Sequence, residues 1–445
     1  MEIPCEIDPV LVACPDARPP AYQAVIGLDR AGLLGGFVTA SYYDRDSRLA
    51  ALSRRFVPGR FERLERFLLR RHDPEIPVHR VRANPGFDMA IRLESRLAAR
   101  RPRLKRAVAR WRTGWFDARL ARAVDEVRPG ALLAFSDVAS ARTLPTCRRL
   151  GIPAILSMVH GDVREERYVL EREAEASPEF LPIYLGNGRL DPEELRWLHE
   201  RRLRELDLAD RVAVPSEHIA DAIVRHGTPR DRVRVIPYAA DCRRFQPLPG
   251  RRHGPACTFL FAGGISQRKG IKYLLEAWRL IRRPGWKLQL LGPLPKDLTP
   301  LRPYLDSVES LGQVAHAEMP ARMAQADVFV FPSLFEGSAV VTYEALACGL
   351  PTVVTPDAGS VVRDGIEGYL VGPRDIENLA ARMERLGSDP ALREQMSGAA
   401  RARALSFDWP RYHAALVALV DELSPPSSGR SCDRDCIRIP GAEIG

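Results

Sequence analysis

The sequence predicts an α/β protein made of two Rossmann-like, doubly wound domains with mostly parallel sheets. Three observations carry that prediction. Short apolar, β-branched runs alternate with longer amphipathic stretches along most of the 445 residues, the pattern of buried parallel strands joined by crossover helices. The alternation lapses at 238–255 into Pro, Gly and Arg and then restarts, which marks a boundary between two units of one class. A composition of 45% hydrophobic and 28% charged residues is that of a globular chain long enough for two or three cores.

Taken in order, residues 10–14 read as the first strand, followed by a Pro-containing loop, a helix over 21–30 and a second strand over 35–40. Residues 58–122 read as basic amphipathic helices broken at Pro74, Pro77, Pro85 and Pro102. The strand at 131–135 leads through Ser136 and Asp137 into a helix, and the strand at 153–159 ends at His160, Gly161 and Asp162. A long charged helical region precedes the strand at 211–214, where Ser216 is placed to cap the next helix. A strand at 233–236 closes the first series. The second series has strands at 258–262, 287–291, 327–331, 351–355 and 368–371. We therefore assign 1–238 to a first domain and 250–406 to a second. The segment 425–445, rich in Ser, Pro, Gly and charge, reads as a disordered tail.

No run approaches 18 consecutive apolar residues, and the acidic start lacks a basic, apolar leader, so the sequence argues against secretion and membrane spanning. Eight scattered cysteines (Cys5, Cys14, Cys147, Cys242, Cys257, Cys348, Cys432 and Cys436) suit buried thiols in a reducing cytoplasm. Cys432 and Cys436 have no second Cys/His pair near them to make a zinc site. The net charge of +9 is uneven: 54–122 holds 20 Lys/Arg against 7 Asp/Glu, and the remainder is slightly acidic. Such a zone faces nucleic acid, an anionic bilayer or plain solvent. Phe56, Phe61, Phe67, Trp111, Trp115 and Phe116 fall among the arginines at helical spacings without deciding between these.

Ligands of doubly wound sheets bind at the carboxyl ends of strands. In the second domain those ends are rich in Gly, Ser and basic residues. After the strand at 258–262, Gly263 and Gly264 permit close backbone approach, and Arg268 with Lys269 supplies two cations just before a helix near Ile271. Lysine is rare in this chain, with five in all, so its placement between glycines points to a phosphate site. After the strand at 327–331, Pro332 opens a turn into a helical run from Val340 to Ala347 that ends near Gly349. Glu336 then sits over the N-terminus of that helix and Glu344 lies inside it. An isolated Glu pair of this kind more often serves as a cap and a solvated side chain than as a site.

The whole string from Pro332 to Gly349 closely resembles the E-x7-E signature of retaining glycosyltransferase family 4, which has the GT-B fold. The resemblance covers about 210–410 well and is only architectural over the first 130 residues. It implies a transferase moving a hexose from a UDP- or GDP-sugar to an acceptor hydroxyl, with no cofactor; the strand-end loops show no DxD-like metal cluster, so transfer without a metal is expected. It also implies that Arg268 and Lys269 hold the donor diphosphate and that Glu344 accepts from the ribose hydroxyls. Glu336, with the N–H groups of Gly337, Ser338 and Ala339, would fix the sugar. Many relatives carry an Arg where this chain has Gly264, and Arg268 is expected to take over that duty. His160 corresponds to a His placed near the donor sugar, with Asp162 as a companion or a helix cap. The stretch 406–409 resembles the crossing back to the first domain, so a helix over about 407–424 would complete that domain.

Two departures stand out. Tyr238, Ala239 and Ala240 replace an Asn-Gly-Val in the interdomain segment, and Pro15 to Ala21 lacks the Gly-Gly loop and His/Glu of many relatives. The latter is the acceptor side. A lipid-linked or envelope glycan at an anionic membrane surface, reached through the Arg-rich 54–122, is the acceptor expected first, with a small soluble acceptor second and no nucleic acid. The rival readings are another GT-B enzyme and a non-catalytic nucleotide-sugar or nucleic-acid binding protein.

Overall fold

The computed structural model describes residues 9–423 apart from 17–18, 57–58, 60–64, 66–67, 84–100, 187–189, 251–253 and 316. Cys5, Cys432, Cys436, Phe61, Phe67, Pro85 and the 425–445 tail lie outside the described residues. Two parallel sheets organise the chain. The first contains β1 (Val10–Ala13), β2 (Leu34–Thr39), β3 (Val81–Ala83), β4 (Ala131–Phe135), β5 (Ala154–Ser157), β6 (Arg211–Val214) and β7 (Val233–Val235) in the order β3-β2-β1-β4-β5-β6-β7. The second contains β8 (Cys257–Ala262), β9 (Trp286–Leu291), β10 (Glu309–Gly312), β11 (Val328–Phe331), β12 (Thr352–Val354) and β13 (Gly368–Leu370) in the order β10-β9-β8-β11-β12-β13.

Both orders run outward from the first strand in one direction and then return to its other side. Each sheet therefore has a switch point where the connections diverge and leave a crevice at the strand ends. In the second sheet that point lies between β8 and β11, paired through Val328 with Phe259 and Phe329 with Leu260. The strands around it are apolar on both faces because helices cover both, and Phe259, Phe261, Phe329 and Phe331 are fully buried there. Each such ring stabilises the fold by roughly 1.5–3 kcal/mol relative to exposure.

Two strands were not expected. β3 and β10 each form one edge of their sheets, and their short, partly exposed sequences, Val-Arg-Ala and Glu-Ser-Leu-Gly, carry no apolar run. Among the described residues of 58–122, helix Pro102–Val127 agrees with the basic helical pattern, while part of the span departs from it. That part contains β3 and two 3-10 turns, Leu69–Arg71 and Val78–Arg80. Pro102 opens the helix Pro102–Val127 instead of breaking one, because its missing N–H is no loss in a first turn.

Helix Trp409–Asp421 returns from the second domain to pack on helix Pro19–Arg30. Tyr412 OH donates to Pro20 O at 3.2 Å, and His413 Nε2 lies 2.9 Å from Gln23 Oε1. Cys14, Cys147, Cys257 and Cys348 are buried cysteines. No helix among the described residues is long and apolar enough to cross a membrane.

Candidate functional site

The β8–β11 switch point sets two loops side by side. Beyond β8 the chain passes Gly263 and Gly264, makes a 3-10 turn over Gln267–Lys269, and enters helix Ile271–Ile281 through Gly270. Gly263 has a φ of 140°, and a Cβ there would lie 2.9 Å from Lys269 Nζ, so the lysine folds back across a bare backbone. At Gly270, with φ of 73°, a Cβ would come within 1.9 Å of Pro332 O. The two loops are thus in backbone contact, tied further by Leu334 N–H donating to Arg268 O at 2.8 Å. Only glycine permits both approaches.

Three charged side chains meet in this corner. Arg268 NH2 lies 3.4 Å and Lys269 Nζ 3.6 Å from the same oxygen, Glu336 Oε1. That oxygen is buried and accepts no hydrogen bond, so two cations surround one carboxylate without a geometrically strong bond. Lys269 Nζ also sits 5.1 Å above the Phe331 ring, a cation–π contact that helps hold the ammonium. The cluster carries a net positive charge at strand ends next to a glycine-rich turn, which suits an anionic ligand. A side chain at Gly264 would meet nothing within 4 Å, so the loop leaves open space there.

The loop leading to helix Val340–Ala347 is held from behind. Glu336 N–H donates to Asp357 O and Ala339 N–H to Ala358 O, both at 3.0 Å. The N–H of Ala339, expected among the ligand donors, is therefore already spent. Those of Gly337 and Ser338 have no protein acceptor among the described residues. Ser338 Oγ donates to Gly359 O at 2.7 Å. Glu344 stands in the second turn of the helix, away from the cation cluster. Burial pushes its carboxyl up to about 7, partly offset by the Arg244 guanidinium. No hydrogen-bond partner satisfies that carboxyl among the described residues.

The first domain closes on this loop at the carboxyl end of β5. A Cβ on Gly161 would lie 2.6 Å from the Phe335 ring, and Ser216, which caps helix Glu217–Arg225, donates to Gly337 O at 3.2 Å. His160 Nδ1 donates to Gly161 O at 2.8 Å, so Nε2 is the nitrogen left for a ligand. It is buried without a hydrogen-bond partner, 3.6 Å from Asp137 Oδ1.

Asp137 follows β4 in a left-handed conformation with φ of 86°, uncommon outside glycine. Arg202 Nε holds it at 2.7 Å, and Glu205 accepts its backbone N–H at 2.7 Å. Burial pushes the Asp137 carboxyl up, but Arg202 and His160 together hold it well below the usual carboxylate range. Asp162 is a helix cap, accepting from Arg164 N–H at 2.8 Å.

Arg268, Lys269, Glu336 and Gly263 thus converge, with His160 facing the same loop across the domain contact and Glu344 on its far side. Asp137, Arg202 and Arg244 were not foreseen. For Asp137 one signal was available, its place at the carboxyl end of a strand. Arg202 and Arg244 carried none.

Two Rossmann-like sheets with facing carboxyl-end loops define a GT-B protein. The Glycosyltransferase Family 4 profile matches residues 9–244, more than half of the sequence, and that of Glycosyl transferases group 1 matches 256–389. The chain belongs to glycosyltransferase family 4. It is 33% identical over 272 residues to the D-inositol 3-phosphate glycosyltransferase of Pseudarthrobacter chlorophenolicus, covering 55% of this chain and 64% of the relative. It thus spans less than two thirds of that curated relative. Among solved structures it is similar in fold to the sucrose-phosphate synthase of Thermosynechococcus elongatus, with a TM-score of 0.61, 18% identity and coverage of 94% of this chain and 99% of that one. It is also similar to HepE of Anabaena, solved with UDP-glucose, with a TM-score of 0.60, 16% identity and coverage of 93% and 100%.

Proposed function

We propose that this chain transfers a hexose from a UDP- or GDP-sugar to an acceptor hydroxyl with retention of anomeric configuration. The observation that carries the reading is the convergence of Arg268 and Lys269 on the unsatisfied Glu336 oxygen, at 3.4 and 3.6 Å, opposite the buried Nε2 of His160, 3.6 Å from Asp137 Oδ1. A diphosphate fits against the two cations, which offset the charge that grows on it as the bond to the sugar breaks. That role needs no metal ion. Glu336 and the N–H groups of Gly337 and Ser338 orient the sugar, and the unpartnered Glu344 carboxylate takes the ribose hydroxyls.

On this reading the anomeric C–O bond to phosphate breaks and the acceptor oxygen bonds the same carbon from the same face. The acceptor proton passes to the departing phosphate oxygen, leaving glycosylated acceptor and nucleoside diphosphate. Positioning and electrostatics supply the acceleration. HepE, of the same fold, binds UDP-glucose, which favours a nucleotide-sugar donor here.

We further propose a lipid-linked or envelope glycan acceptor at an anionic membrane surface. Much of the basic charge of 54–122 is spent inside the domain: Lys105 pairs with Glu194 at 2.6 Å and Arg106 with Asp191 at 2.8 Å. What remains is more specific. Trp111, 59% exposed, stacks on Trp115 at 5.7 Å, and exposed Leu104 lies one and a half heptads before Trp115 on the same side of the helix. Arg82, Arg119 and Arg122 line a hollow of about 170 Å³ beside the buried, unpartnered Thr39 hydroxyl. Aromatic side chains beside arginines suit a bilayer interface.

A thermal-shift screen with UDP-, GDP- and ADP-sugars tests the donor, because a ligand bound only by the folded form raises its melting temperature. One nucleotide family is expected to shift it by several degrees, and no shift with any of them would refute the site.

A further inference from the structure

One buried carboxylate joins the phosphate turn to the first domain and has no part in the chemistry above. Glu173, fully buried near the end of helix Val163–Ala176, accepts from Gln267 Nε2 at 2.5 Å, Tyr273 OH at 2.8 Å and Arg374 Nε at 2.8 Å. Gln267 and Tyr273 bracket Arg268 and Lys269. The neighbouring stretch of the first domain holds the rest of this turn. Arg268 N–H donates to Tyr184 O at 3.1 Å. Lys272 Nζ donates to Ser177 Oγ at 3.0 Å and pairs with Glu179 at 2.8 Å. Residues 267–273 are thus anchored in 173–184 while Arg268 and Lys269 turn toward Glu336.

Arg374 meets Glu173 from a strained position. Its φ is +70°, and its NH2 is buried without an acceptor. A non-glycine residue in that region costs on the order of 1 kcal/mol or more and persists only where its surroundings hold it. A strained backbone and an unsatisfied nitrogen, both accepted in order to charge-pair one carboxylate, mark that carboxylate as more than filler.

We propose that Glu173 is a positioning residue for the donor diphosphate: a side chain of the first domain that never touches the nucleotide sets the turn from which Arg268 and Lys269 grip it. The inference rests on the donor-site reading above. Neutralising Glu173 releases Gln267 and Tyr273 and leaves Arg374 a buried, unpaired cation. A shift of about 1 Å in the turn is enough to cost on the order of a hundredfold in a positioned interaction.

Calorimetric titration of UDP, GDP and ADP, each against its parent nucleoside, tests this on the full chain with the wild type, Glu173→Gln and Glu173→Gln/Arg374→Gln. Glu173→Gln is expected to weaken the diphosphate at least tenfold while its nucleoside stays within twofold. The double variant, with both buried charges gone, should regain melting temperature but not diphosphate affinity. Tyr273→Phe, which keeps the ion pair, should show the same split at about threefold and covers the case in which Glu173→Gln does not fold. Parallel weakening of diphosphate and nucleoside, affinity that returns with stability, or unchanged affinity would each overturn the proposal. A wild type that binds none of the three diphosphates would bring down the donor-site reading, and this one with it.

Discussion

Gly337 meets Val159 backbone to backbone: a Cβ on the glycine would lie 2.2 Å from the Val159 carbonyl oxygen and 3.1 Å from His160 Cα. The carboxylate loop of the second domain and the histidine of the first are therefore separated by nothing larger than a hydrogen atom. Gly337→Ala is expected to push the two loops apart by about 1 Å and lower turnover about a hundredfold, with a loss of stability of about 1–3 kcal/mol. Nucleoside binding, which the proposed reading assigns to Glu344 within the second domain, should persist. Steady-state turnover and nucleoside titration on the same variant check this.

Lys269 lies across Gly263 and beside Glu336. On the proposed reading Lys269→Ala removes a cation from where charge grows on the leaving group, and turnover or slow donor hydrolysis should fall about 10²–10³-fold. Lys269→Arg is not a conservative rescue, because a planar fork does not replace a compact ammonium above a ring. Single-turnover rates with the nucleotide sugar found in the thermal-shift screen read this directly.

Asp137 and Arg202 form a partly buried pair beneath His160. Arg202→Met leaves the Asp137 carboxylate without its guanidinium, and a loss of about 3 kcal/mol at pH 7 is expected, measured by denaturant unfolding. The sign of its pH dependence follows from the depressed Asp137 carboxyl. Stability from such a group is present above its unfolded value of 3.8 and lost as pH falls through the folded one. The variant should thus lag the wild type most at neutral pH, and the gap should narrow as pH falls below 3.8 toward the depressed folded value.

Glu344 runs the other way. Its carboxyl is raised from 4.5 to about 7 by burial, so the folded state is favoured while the group stays protonated and loses stability as pH climbs from about 4.5 to 7. Glu344→Gln should melt higher than the wild type at pH 8 and at the same temperature at pH 4. If ribose hydroxyls bond the ionised carboxylate, nucleotide binding near pH 7 releases a proton in the wild type and none in the variant. Calorimetry in two buffers of different ionisation enthalpy separates the cases.

Trp111→Ser removes the most exposed ring of the Trp111–Trp115 stack. On the membrane reading it should reduce co-sedimentation with vesicles of anionic phospholipid at low salt severalfold. Turnover on a soluble acceptor should stay unchanged.

The strands β1, β2, β4–β9 and β11–β13 were legible from sequence because each is built mainly on apolar and β-branched residues between turn signals, a pattern visible without any partner. So were helix Val340–Ala347 with Glu344 inside it and Glu336 in the loop before it, and the Gly263–Gly270 turn, since local backbone rules place glycines and helix starts. β3 and β10 were not legible, because their three and four residues are partly exposed and carry no such run. The sequence by itself determined the two-domain α/β plan and the residue types gathered at its strand ends. Only the tertiary structure decided which ends meet: that β8 lies beside β11, that Gly337 touches Val159, and that Asp137, partly buried, and Glu173, fully buried, find partners far away in sequence. The physical reason is that a charged residue is buried only when distant segments supply its donors, so its role is a property of the pairing and not of the local chain.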